Sequence, residues 1–159
     1  MNRHQLDKVD RTLLHILQES GRCKRNELAE ATGLSIPSVS ERLKKLEESG
    51  FIRGYRAILD PELMGFGIMA FIVVTVDSSG NYPSFIDHVR RMDEIAECHA
   101  ITGEGTHMLK VRTKTTSDLE RLLSEIQSWE GVTKTTTRVA LSSPKESTKI
   151  PVGDRHEKP

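Results

Sequence analysis

The stretch ITGEGTHMLKVR, residues 101–112, sets Glu104 between Gly103 and Gly105 and follows them with Thr106 and His107. A carboxylate, an imidazole and two sterically open amides suit three chemistries: a phosphate cradle, acid–base catalysis, or capture of a small charged ligand. A phosphate cradle needs its glycines to run into a helix N-terminus, often with a lysine behind them. Here they run into a segment that reads as a strand. Catalysis needs a nucleophile or a metal beside an oriented base, and no serine or cysteine nucleophile is identifiable next to Glu104 and His107. His99, across the same hairpin, has no ligand set to join. These residues imply no catalytic group, no metal and no cofactor. Two readings of the turn stay open: a ligand loop, to which Thr135 and Thr137 could add hydroxyls, and a plain hairpin turn whose glycines serve geometry.

A second concentration of chemistry is cationic. The chain is neutral overall, but residues 1–56 hold 11 Lys/Arg against 8 Asp/Glu, a net of +3, and the remainder is at −3. Arg22, Lys24, Arg25, Arg42, Lys44, Lys45, Arg53 and Arg56 all lie in that front part. Any one of these on a helix face is more simply a solvated charge. Their gathering around one short helical unit instead suggests a partner with phosphates.

The elements that would carry these groups can be read from periodicity. Leu6, Val9, Leu13, Ile16 and Leu17 recur at helical spacing, with Asp7 able to cap the start and Gly21 to end it. A shorter helix over about 25–32 should bury Leu28 and Ala31. Gly33 then permits a tight turn, and Ser35 caps a third helix, SIPSVSERLKKLEESG, with Val39, Leu43 and Leu46 inward. Two helices joined through such a turn form a helix-turn-helix, whose second helix enters a major groove. Ser35, Pro37, Ser38 and Glu41 are then nearest the base edges. Arg42, Lys44 and Lys45 lie further along, where phosphates run.

Beyond residue 51 the rhythm changes. FIRGYRAILDP suggests a small hairpin or a single strand. Strand, helix, strand, strand, helix, strand then follow, with Ser117 and Glu120 expected to box the start of the last helix. The order βαββαβ is that of a ferredoxin-like sandwich, so the fold class is α+β: a helix-turn-helix (winged-helix-like) domain followed by that sandwich. Boundaries fall at 1–52, 53–65 (a linking strand or hinge), 66–142, and a polar tail at 143–159 expected to be mobile or exchanged. Ile68 to Val76 is apolar on both faces, which suggests that a second copy covers the open side of the sheet. Cys23 and Cys98 are expected to be reduced thiols. No signal peptide or membrane span is expected, and the reading is a cytoplasmic, nucleoid-associated protein.

LDKVDRTLLHILQESGR, ELAEATGLSIPSVSERLKKLEESGFIRGYRAILDP and ECHAITGEGTHMLKVR together resemble the Lrp/AsnC family of transcription regulators, over residues 5–142 and in the family's order. The resemblance implies double-stranded DNA as partner, an amino-acid effector, and homodimers joined through their sheets and assembling to octamers. It places DNA contacts at Lys24, Arg25, Ser35, Pro37, Ser38, Glu41, Arg42, Lys45 and Arg53. Effector contacts would come from Gly103, Glu104, Gly105, Thr106, His107, Thr135 and Thr137. Two departures stand out. Members usually carry Ser or Thr where this chain has Lys24, which cannot accept a capping bond. In the turn, one acid is lengthened to Glu104, while a second acid and both aromatics are absent, implying a roomier pocket. An effector-independent architectural DNA-binding protein is the alternative expectation, and an enzyme built on the second domain a more distant one.

Overall fold

The computed structural model describes residues 5–153. They form two compact units. The first comprises the residues up to Ile58 together with those from Glu146 onward, and the second runs from Leu59 to Lys145.

The first unit holds α1 (Lys8–Glu19), α2 (Arg25–Thr32) and α3 (Ile36–Glu48). Asp7 caps α1 by accepting the Asp10 N–H at 2.8 Å, and Asp10 returns the bond to the Asp7 N–H at 3.2 Å. Ser35 caps α3 through the Ser38 N–H, with Pro37 in the first turn where a missing donor costs nothing. Leu13, Leu28, Val39, Leu43 and Leu46 make the core. On α2 the second buried residue is Ala29. Ala31, expected there, is exposed: it lies about 200° around the helix from Ala29, so burying one turns the other outward.

Residues 53–60 form neither the hairpin nor the strand that their composition suggested. They make no ladder within the described chain, and Ile58 and Leu59 stand exposed. A lone extended segment has donors and acceptors on both edges and needs a neighbour to become a strand.

The second unit contains β1 (Ile68–Val76), α4 (Tyr82–Arg91), β2 (Ile95–Ala100), β3 (His107–Thr113), α5 (Thr116–Ser128) and β4 (Val132–Val139). The sheet order is β2-β3-β1-β4, with each neighbouring pair antiparallel. This is the expected βαββαβ sandwich. Ala70, Ile72, Val74 and Val76 of β1 pack with Leu109 and Val111 of β3 under Phe85, Val89, Leu119, Leu122, Ile126 and Trp129. The opposite face carries Met69, Phe71 and Val73 of β1 and Met108 of β3, with Lys110 and Arg138 on either side of Phe71. The capping box of α5 sits two residues earlier than expected: Thr115 accepts from the Asp118 N–H, and Asp118 from the Thr115 N–H. Thr115 wins over Ser117 because the extended backbone a cap requires ends there.

Residues 149–153 of the carboxyl-terminal segment, expected to be mobile or exchanged, lie along α1 in this structure.

Candidate functional site

The helix-turn-helix is built from local signals. Gly33 adopts a left-handed conformation (φ 69°) with open space around it, and its N–H and that of Leu34 return to the last turn of α2. The chain can therefore reverse into α3 within two residues. At the start of α3, Ser35, Ile36, Pro37 and Glu41 are exposed, while Ser38 is half-buried and shares a 2.8 Å hydroxyl contact with Ser35. Ile36 was not among the expected contacts. It is an apolar side chain 49% exposed beside the cap, a place where burial in a core cannot explain it.

Arg42 makes a contact within the unit that its place in the sequence did not announce. Its guanidinium lies 2.7 Å from Asp7 and 2.8 Å from Asp10, whose side chain is only 2% exposed. The bond to the Asp10 amide, and Arg42 after it, hold the Asp7 carboxyl below its ordinary range. Arg42 thus fastens α3 to the cap of α1. Lys45 pairs with Glu41 at 2.7 Å on the open surface, a contact that solvent or a phosphate can replace. Lys24, Arg25 and Arg53 are exposed. Lys24 offers no acceptor to α2, but Glu27 accepts the Lys24 N–H at 2.9 Å and supplies half of a capping box.

The turn between β2 and β3 folds back over β1. Thr106 donates its N–H to Val74 O at 2.9 Å, and its hydroxyl accepts from the Val76 N–H at 3.1 Å. Gly105 (φ 80°) lies so close to β1 that a Cβ would sit 2.4 Å from Val73 Cγ1. Gly103 (φ 95°) faces open space. The N–H groups of Gly103, Glu104 and Gly105 make no hydrogen bond among the described residues.

The expected effector residues do not converge within one chain. Glu104 pairs with Lys134 of β4 at 3.2 Å, and both are largely exposed. His107 is 3% exposed and turned into the helix-covered core, 4.8 Å from the Phe85 ring and 4.9 Å from Tyr82. Burial pushes its imidazole below the ordinary pKa. Thr135 stands opposite Val74 in the register, so it points to the helices and accepts from Gln127 at 2.7 Å. Thr137, opposite Ile72, shares that side. Parity along β3 and β4 thus places His107, Thr135 and Thr137 under the helices and Lys134 on the other face. Lys134 was missed, because nothing local marks it as a partner of Glu104. Glu104 and His107 cannot act as a general acid–base pair, being separated by the sheet. Among the described residues no group of three or more His, Cys, Asp or Glu is placed to hold a metal. No helix there is long and apolar enough to cross a membrane.

Residues 6–53 match the winged helix-turn-helix DNA-binding family, and residues 69–150 match the Lrp/AsnC ligand binding domain. The chain is 37% identical over 150 residues to the HTH-type transcriptional regulator FL11 of Pyrococcus abyssi, covering 94% of this chain and 99% of that one. It is 33% identical over 153 residues to the leucine-responsive regulatory protein of Escherichia coli K12, covering 94% and 93%. Among solved structures, the transcriptional regulator NMB0573 of Neisseria meningitidis in complex with L-Met superposes with a TM-score of 0.89 at 33% identity, covering 93% and 97%.

Proposed function

Because the chain belongs to the Lrp/AsnC family of DNA-binding transcriptional regulators, we propose that it reads specific operator sequences and that an α-amino acid modulates its assembly or DNA affinity. In this reading residues 1–52 bind DNA, 53–65 link, and 66–142 sense and oligomerise. Ser35, Ile36, Pro37 and Glu41 meet base edges, Ile36 through an apolar contact with a thymine methyl, while Lys24, Arg25, Lys45 and Arg53 meet phosphates. A homodimer presents two α3 helices to successive major grooves, with half-sites about one helical turn apart. Dimers assemble further, to an octamer, and multiply weak contacts by avidity.

The observation that carries the effector reading is the Glu104–Lys134 pair beside the free amides of 103–105. An α-amino acid is a zwitterion, and it can exchange into this pair without leaving a charge unmatched. Its ammonium replaces Lys134 on Glu104, and its carboxylate takes Lys134 and the backbone donors. The neighbour solved with L-Met supports an amino acid as the ligand class. His107 belongs to the core beneath the turn and acts only through Thr106. Thr135 and Thr137 hold β4 rather than the ligand. Calorimetric titration with each of the twenty amino acids should find at least one binder, and Glu104→Ala should abolish that heat while leaving the fold intact. Undiminished binding by Glu104→Ala would move the pocket elsewhere. The rival reading, an architectural protein without effector, rests on the same ion pair being complete already. It predicts no binder among the twenty and weak sequence preference.

A further inference from the structure

The second unit's chain leaves β4 at Val139 and re-enters the first unit from Glu146. There it meets a row of side chains on α1. Gln18 clamps the backbone of Ile150 from both sides, its Oε1 accepting the Ile150 N–H at 2.6 Å and its Nε2 donating to the Ile150 carbonyl at 3.0 Å. Arg11, two helical turns away, donates to the carbonyls of Val152 and Gly153 at 3.2 and 2.9 Å. Glu19 takes the Lys149 ammonium at 2.5 Å, and that ammonium holds the Glu19 carboxyl below its ordinary range. Val152 adds an apolar anchor against the three-helix core.

The dimensions agree. Seven helical residues, from Gln18 back to Arg11, span about 10 Å. Three extended residues, from Ile150 to Gly153, span about the same. The local sequence favours that extension: Pro151 fixes its own φ and pushes Ile150 out of the helical region, so little backbone freedom is lost on docking. A two-sided clamp on one residue's backbone, a charge pair and an apolar anchor within five residues set a register that a chance surface contact would lack.

We propose that the outer strip of α1, formed by Arg11, Gln18 and Glu19, is a peptide-docking site whose occupant is residues 149–153 of the chain's own carboxyl-terminal segment. The site is independent of the ligand turn and of DNA, so its test needs neither. Hydrogen–deuterium exchange is followed by mass spectrometry on the full chain. Fragments covering 146–153 should exchange at least about tenfold more slowly at Ile150 than a free peptide does. Gln18→Ala should remove that protection and also speed exchange in the last turn of α1, with the helical circular dichroism unchanged. Glu19→Lys should weaken the protection, and adding Lys149→Glu should restore it, since only a direct pair recovers on exchange of its charges. Free-peptide rates in the unaltered chain would overturn the proposal. So would protection that Gln18→Ala leaves intact, or a charge swap that fails to recover it.

Discussion

Replacing Arg42 by alanine separates the two roles its position allows. In the structure it neutralises Asp7 and Asp10, with side-chain exposures of 31% for Arg42, 49% for Asp7 and 2% for Asp10. Removing one member of a fully buried pair costs about 3–5 kcal/mol, because the surviving charge is left without solvent. Only Asp10 is in that position here. The Asp7 contact is screened and contributes little. The expected loss is therefore about 2–3 kcal/mol, set by the desolvated Asp10 carboxylate. With a urea dependence of about 1–2 kcal/mol per molar, the midpoint of the first unit should fall by about 1–3 M. Circular dichroism reports that loss, while fluorescence of Trp129, the sole tryptophan and a core residue of the other unit, serves as an internal control that should not move. DNA binding by the folded Arg42→Ala chain should keep its salt slope, since no phosphate contact is removed. An unchanged urea midpoint together with a slope smaller by about 0.9 would refute this reasoning and return Arg42 to the DNA backbone.

Other perturbations follow from the same geometry. Lys24→Ser supplies the missing acceptor at the start of α2 and should stabilise the first unit by about 1 kcal/mol in thermal melts. If Lys24 meets a phosphate, as proposed, the same change reduces the salt slope of DNA binding by about one charge; an unchanged slope rejects that contact. Gly105→Ala adds a collision with Val73 to a left-handed backbone and should cost about 2–4 kcal/mol, whereas Gly103→Ala pays only the backbone term of about 1 kcal/mol. Equal costs in denaturant titrations would show that the turn relaxes freely. His107 has its pKa lowered by burial, so the unfolded chain binds its proton more readily than the folded one. Stability should be level above the ordinary value of 6.5 and fall as the pH drops below it. His107→Gln should flatten melting temperature over that range, and an unaltered pH profile would assign the titration to another group. Asp7 works in the same sense at lower pH: its lowered carboxyl adds stability at neutral pH, which is lost only as the pH falls below about its ordinary 3.8.

Elements and their order were legible in the amino-acid string because the signals are local. Asp7 and Ser35 cap within three residues, Gly33 turns within one, and the near-continuous apolar run Ile68–Val76 marks a buried strand over nine. Even the capping box misplaced by two residues kept its helix, since α5 is specified by Leu119, Leu122 and Ile126 over about two turns. The family resemblance, spread over the same stretches, rests on such local patterns too.

Folding alone decided which charges meet and which face each strand residue takes. Arg42 finds Asp7 and Asp10 across more than thirty residues, and Glu104 finds Lys134 across thirty. No spacing rule reaches that far, because these separations are set by how helices and strands pack rather than by backbone periodicity. Strand parity has the same limit: it says that neighbours alternate, but the pairing of Thr135 with Val74 and of His107 with the end of β1 determined which side was buried. Composition marked the carboxyl-terminal segment as polar and unstructured. Only the helix already standing beside it, with Gln18 and Arg11 two turns apart, supplied the partners that order it.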